Sequence, residues 1–164
     1  MSDDHPGSGA GPDDYTEVFD LTQAQRDMWL LQELDPEVTF AVAHYMDIRG
    51  PLDVDLLKQA IRLATLDTGS MLTRLVTGDS QDERVDSDSL RQRLDLSLLD
   101  IDLDRIDVSD DEFPEEAAAE IMTEFTRPLD MYRDALGYTA VITLAEDHHY
   151  WYARGHHVAI DGYG

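Results

Sequence analysis

Along this chain the hydrophobic positions change period several times, and each change marks an element. Leu21, Ala24, Met28 and Leu31 recur at helical spacing, with Trp29 and Leu30 widening the stripe. Thr22 and Gln25 stand at its start with the spacing of a capping box. Asp35-Pro36 closes the helix, because the residue before a proline avoids helical dihedrals. Val42, His44, Met46 and Ile48 then alternate with Ala41, Ala43, Tyr45 and Asp47, which predicts a strand ended by Gly50-Pro51. Asp53 is placed to cap a second helix carrying Leu56, Leu57, Ala60, Ile61 and Ala64. Met71 to Val76 reads as a strand, and the polar stretch from Thr77 to about Asp88 as a loop. From Asp95 to Val108 apolar and acidic residues mix, which fits one or two short strands. Asp110 or Asp111 is expected to start a third helix with Pro114 in its first turn. Ala118, Ile121, Met122 and Phe125 line one face of it, and Arg127-Pro128 ends it. Tyr138 to Leu144 and Tyr150 to Gly155 read as two strands joined through Glu146-Asp147, a hairpin. Helices and strands in no strict alternation predict an α/β (α+β) sandwich.

Composition narrows the function classes. Residues 1–14, MSDDHPGSGAGPDD, are rich in Gly, Pro, Ser and Asp without apolar periodicity, and read as a disordered acidic tail. The formal charge is −24, from 36 acidic residues against 12 Lys and Arg, so phosphate polymers are repelled and nucleic-acid binding is not expected. No apolar run is long enough to span a membrane, and the N-terminus lacks the basic and apolar regions of a secretory signal. The chain has no cysteine, which removes thiol chemistry and disulfides and fits a cytoplasmic location.

The candidate chemistry lies at the end of the chain, in His156-His157-Val158-Ala159-Ile160-Asp161-Gly162 directly after a strand. A random chain of this length would carry His-His-x-x-x-Asp-Gly on the order of once in several thousand tries. If the strand runs through the pair, Trp151, Ala153, Gly155 and His157 share one face, and Tyr150, Tyr152, Arg154 and His156 the other. The histidines then point opposite ways. Ala153 and Gly155 are small and leave room beside His157, which favours His157 as the active one. A neutral imidazole suits proton transfer from an attacking amine. Asp161 falls where the chain must turn, and Gly162 allows a backbone few residues adopt, with its N–H near the site. The competing reading is a structural histidine pair followed by a turn-forming Asp-Gly; the combined pattern favours chemistry. A metal site built from His148, His149, His156, His157 and Asp161 is not expected, because adjacent histidines on a strand diverge and no third ligand has a familiar spacing.

These residues resemble the condensation domains of nonribosomal peptide synthetases. The terminal pattern matches their signature, and Leu21-Thr22-Gln23-Ala24-Gln25-Arg26-Asp27-Met28-Trp29 is similar to their first core motif. Ile48-Arg49-Gly50-Pro51-Leu52-Asp53 and Arg127-Pro128-Leu129-Asp130 are also similar to the family. The second core motif survives only as Thr73-Arg74 within Asp67 to Leu75. The resemblance implies a fold like chloramphenicol acetyltransferase, with residues 15–164 as the N-terminal subdomain. It implies amide formation between a donor acyl or aminoacyl thioester and an acceptor aminoacyl thioester. Both would hang on phosphopantetheine arms of donor and acceptor carrier proteins, with no cofactor bound directly. By the same resemblance His157 is the base or amine-positioning group, with His156 beside it. Asp161 is architectural and pairs with Arg74, and the Gly162 N–H helps hold the oxyanion.

The resemblance also sets expectations about extent. The family's domains are longer than this chain, so a truncated domain is expected, lacking the C-terminal subdomain that completes the tunnel, and inactive alone. The first core motif follows closely on the start, so no carrier is expected upstream; the donor arrives from another protein, or the domain is a starter type. An acyltransferase to an alcohol shares the terminal signature, but Ala24-Gln25-Arg26 with Trp29 favours condensation. Heterocyclisation domains carry aspartate in place of the histidine pair, and epimerisation domains share it. From a different class, a non-catalytic remnant that only binds a carrier is the other alternative.

Overall fold

A computed structural model of the chain describes residues 18–77, 89–99 and 103–160. Strand β1 (Val18–Asp20) leads into helix α1 (Gln23–Leu34), whose start is a formed capping box. The Gln25 N–H donates to Thr22 Oγ1 at 3.2 Å, and the Thr22 N–H donates to Gln25 Oε1 at 2.9 Å. Asp35 caps the other end, as the following proline requires. Strand β2 (Ala41–Arg49) precedes α2 (Val54–Thr68), whose Leu56 N–H donates to Asp53 Oδ1 at 2.9 Å. Gly69, at φ 69°, ends α2 in the left-handed conformation that glycine adopts without strain. Then follow β3 (Thr73–Thr77), β4 (Leu90–Leu94), β5 (Asp104–Asp107), α3 (Pro114–Glu124), β6 (Gly137–Ala145) and β7 (His148–His156).

The strands form two sheets. One has the order β1-β4-β3; the other has the order β2-β7-β6-β5, with β5 parallel to β6 and the remaining pairs antiparallel. Glu146 and Asp147 join β6 to β7 as the expected hairpin. A core of Leu21, Trp29, Leu75, Leu90, Met131, Leu136 and Val158 ties α1 and the first sheet to the segment after β7. A second core of Val108, Ala118, Ile142, Leu144 and Tyr150 packs α3 on the larger sheet. The architecture is the expected mixed α/β sandwich.

Several boundaries differ from the sequence expectation. Met71 and Leu72 belong to a 3-10 turn (Ser70–Leu72), so β3 starts at Thr73. Strand β4 was not expected, because Arg91, Gln92 and Arg93 carry no apolar alternation. Two of them are met by β1: Arg91 pairs with Asp20 at 3.0 Å, and the Gln92 amide donates to the Asp20 carbonyl at 3.0 Å. Among the described residues from Asp95 to Val108, β5 is the one strand, within the one or two expected, and it follows a 3-10 turn at Leu96–Leu99. Helix α3 starts at Pro114 with Phe113 as its N-cap, not at Asp110 or Asp111. Phe113 precedes a proline and sits at φ −132°, ψ 76°, so the helix cannot extend back through it. The expected tail over residues 1–14 and the expected loop beyond Thr77 lie outside the described residues. No helix among the described residues is long and apolar enough to cross a membrane.

Candidate active site

The site is built where β7 ends. Tyr150, Tyr152, Arg154 and His156 are all buried, at 8%, 3%, 6% and 1% exposure, so this face of the strand points into the protein. Arg154 uses one guanidinium nitrogen to donate to the carbonyls of Phe125 and Arg127 just past α3. That is a favourable place for a cation at a helix C-terminus. His157 is half-buried. The two histidines therefore differ in burial, His156 as the last residue of β7 and His157 as the first of the turn.

Each contact of His156 fixes something. Its N–H donates to the Leu136 carbonyl at 2.8 Å, continuing the pairing with the start of β6. Its ring Nε2 lies 3.1 Å from Gln32 Oε1, and its Nδ1 accepts the Val158 N–H at 3.1 Å. The Ala159 and Ile160 N–H groups both donate to the His156 carbonyl, at 2.9 and 3.2 Å. Burial, and then the neighbouring charges of His157 and Arg154, push the His156 pKa down to about 4. The ring is thus neutral at pH 7 and serves as a hydrogen-bonding bracket.

His157 leaves the sheet. Its N–H donates to the Phe40 carbonyl at 2.9 Å, and its side chain lines an open groove of about 670 Å³ with Thr22, Ala24, Gln25, Met28, Phe40 and Ile160. This corrects the expectation that Ala153 and Gly155 make the room beside it. The strand ends at His156, and the turn folds Ile160 back over Gly155, where Ile160 fills the space an alanine methyl would take. Trp151 and Ala153 line a separate apolar cavity of about 180 Å³ against α2, with Ile61, Thr65 and Met71.

Residues that sequence reasoning left unassigned hold this turn. Gln25, noted only as a capping and motif residue, donates to the Val158 carbonyl at 3.1 Å and to Gln92 Oε1 at 2.9 Å. Gln92 returns a bond to Gln25 Oε1 at 3.1 Å. This amide pair ties α1 and β4 to the segment behind His157. Arg74, on β3, donates from Nε to Asp95 Oδ2 at 2.7 Å and from Nη1 to the Arg133 carbonyl at 3.2 Å. Bonds from Ser97, and then Arg74, hold the Asp95 carboxyl below its ordinary range. Asp161 and Gly162 lie outside the described residues, so the expected Arg74–Asp161 pair is not seen either way. Among the described residues no group of His, Asp and Glu side chains gathers as a metal site.

Comparison with known proteins places this arrangement. The Condensation domain family matches residues 15–164. The chain belongs to the condensation-domain family. This condensation-domain chain is 32% identical over 155 residues to a dimodular nonribosomal peptide synthase of Bacillus subtilis (strain 168), covering 93% of this chain and 6% of that protein. It is 28% identical over 162 residues to an isonitrile lipopeptide synthase of Streptomyces coeruleorubidus, covering 98% of this chain and 10% of that protein. The starter condensation domain of rhizomide synthetase superposes with a TM-score of 0.79 at 25% identity, over 90% of this chain and 34% of that one. The first condensation domain of the calcium-dependent antibiotic synthetase, solved with a substrate analogue, superposes with a TM-score of 0.74 at 30% identity, again over 90% and 34%. The condensation-domain chain therefore spans about a third of these solved domains and a tenth or less of the two synthetases.

Proposed function

We propose that this chain supplies the catalytic histidine, His157, for amide formation between a donor acyl or aminoacyl thioester and an acceptor aminoacyl thioester. Both substrates are carried on phosphopantetheine arms of carrier proteins. The observation that carries the reading is the contrast within the pair: His156 is enclosed at 1% exposure with both ring nitrogens engaged, while His157 faces the groove.

In this reading the acceptor amine attacks the donor thioester carbonyl. The N–C bond forms, and the amine proton passes to the His157 imidazole or is held by it while the amine is oriented. The C–S bond then breaks, and the departing thiolate of the donor arm takes up the proton as a free thiol. Oxyanion stabilisation is assigned to the Gly162 N–H. Asp161 holds the loop by its charge, and Arg74, already bound to Asp95, is its proposed partner. Arg74→Ala and Asp161→Asn are expected to destabilise the protein by less together than the sum of the singles. Strict additivity in that cycle contradicts the pair. The chain's lack of cysteine suits a cytoplasmic protein.

The test mixes this chain with a separately expressed C-terminal subdomain and loaded donor and acceptor carriers, and follows peptide formation by mass spectrometry. Amide product in the mixture, and none with either half alone, supports the reading. Carrier binding without product points to a binding remnant, and ester product with an alcohol acceptor points to the related acyltransferase chemistry.

A further inference from the structure

Gln32 lies in the last turn of α1, is 5% exposed, and belongs to none of the motifs discussed above. Its amide nitrogen donates to the carbonyls of Asp35 at 3.2 Å and Val38 at 3.0 Å. Those two bonds use both amide hydrogens, so the side chain cannot be turned end for end without losing them. Its oxygen must then face His156, where Nε2 lies at 3.1 Å. An oxygen without a hydrogen can only accept, so the proton of the neutral ring sits on Nε2. That leaves Nδ1 bare, and Nδ1 accepts the Val158 N–H at 3.1 Å.

The consequence reaches His157 through the backbone. The N–H groups of His157, Val158, Ala159 and Ile160 are all bonded: the first to the Phe40 carbonyl, the other three to the Nδ1 or the carbonyl of His156. The backbone on both sides of His157 is therefore clamped. With the proton on Nδ1 instead, the Val158 N–H would meet another donor in a buried place, and the turn would have to open. We propose that Gln32 is a positioning residue for His157, acting through His156. Its amide oxygen selects the Nε2–H form of the buried ring, and that form supplies the acceptor that shapes the turn carrying the catalytic histidine. The kinetic half of this proposal rests on the role assigned to His157 above; the tautomer half does not.

A merely structural Gln32 would hold only the 35–38 connection between α1 and β2, and two measurements separate the cases. Histidine-selective 15N NMR of the 164-residue chain at pH 7 reads the tautomer without any substitution. The proposal expects the Nε2–H form of His156 in the unsubstituted chain and a mixed population in Gln32→Leu. An Nδ1–H or mixed ring in the unsubstituted chain, or an unchanged ring in Gln32→Leu, overturns it. The second measurement is a double-mutant cycle on amide formation in the complete domain, using His156→Asn. The asparagine carboxamide oxygen takes the place of Nδ1 toward Val158, with no ring nitrogen to reach Gln32. Gln32→Leu is expected to lower kcat about tenfold with little change in KM when residue 156 is histidine, and to lower it no further in the His156→Asn background, where the acceptor toward Val158 does not depend on Gln32. Losses that multiply, or a Gln32→Leu variant with full kcat, overturn the proposal. If the unsubstituted domain makes no amide at all, the catalytic reading fails, and the tautomer measurement alone decides the role of Gln32.

Discussion

The ring of His156 is enclosed between Gln32 and the Val158 backbone, while the ring of the next residue opens on the groove beside α1. Alternation on a strand led to the expectation that the two rings diverge, but the structure reaches this by another route: β7 stops at His156, and His157 is the first residue of the turn. The bracket around His156 was not legible. Gln32 is remote in sequence, and a polar residue on a helix usually reads as solvated; only the fold shows it to be 5% exposed with all of its polar atoms bonded. The buried ring also predicts a pH dependence. Unfolded, the imidazole titrates at about 6.5; folded, at about 4. Between these values the unfolded chain binds a proton that the folded chain does not, so the folded state loses stability as pH falls through the window. The full difference corresponds to about 3 kcal/mol, present above 6.5 and gone below 4. Urea unfolding at several pH values from 4 to 7.5 should show this slope in the unsubstituted protein, and a shallower one in His156→Asn. Parallel slopes would mean that the ring does not stay neutral on folding.

Among the elements, β7 and α1 do most to place the site, and both carry strong local signals: the run Tyr150-Trp151-Tyr152-Ala153 in the one, and a capping box in the other. The elements that were misread lack such signals. Strand β4 hides behind polar residues, of which Arg91 and Gln92 bond to Asp20 across the sheet, and the start of α3 is decided by the conformational limit on Phe113 rather than by a capping aspartate. The position of Ile160 was also illegible, because it depends on where β7 stops. That position yields a prediction. Gly137 and Gly155 are partners across β6 and β7, and a methyl group on either would run into a neighbouring side chain. At Gly155 the obstacle is Ile160, a branched side chain on the clamped turn; at Gly137 it is the end of the flexible Met71 thioether. Gly155→Ala should therefore cost about 1–3 kcal/mol of stability and displace the turn behind His157, while Gly137→Ala costs less because Met71 can swing aside. Thermal unfolding of the two variants checks the order, and a larger loss at Gly137 would contradict this packing.

At the scale of the whole molecule, the motifs indicated the family, while sheet order had to come from the structure: β2 pairs with β7 although the two strands are far apart in sequence, and no local pattern records that pairing. The same pairing leaves β2 on the edge of its sheet with Val42, Tyr45 and Met46 exposed. The groove beside His157 is likewise open in this chain, which spans about a third of the solved condensation domains it matches. The central claim, that this chain brings the reacting histidine to an amide-forming site, is most directly tested by single-turnover condensation. The two halves are combined with loaded carriers, and the chain is supplied either unsubstituted or as His157→Ala. The account predicts that His157→Ala stays folded, still binds carriers, and forms amide about 10²–10⁴-fold more slowly. A folded His157→Ala chain that forms amide at the unsubstituted rate would contradict it.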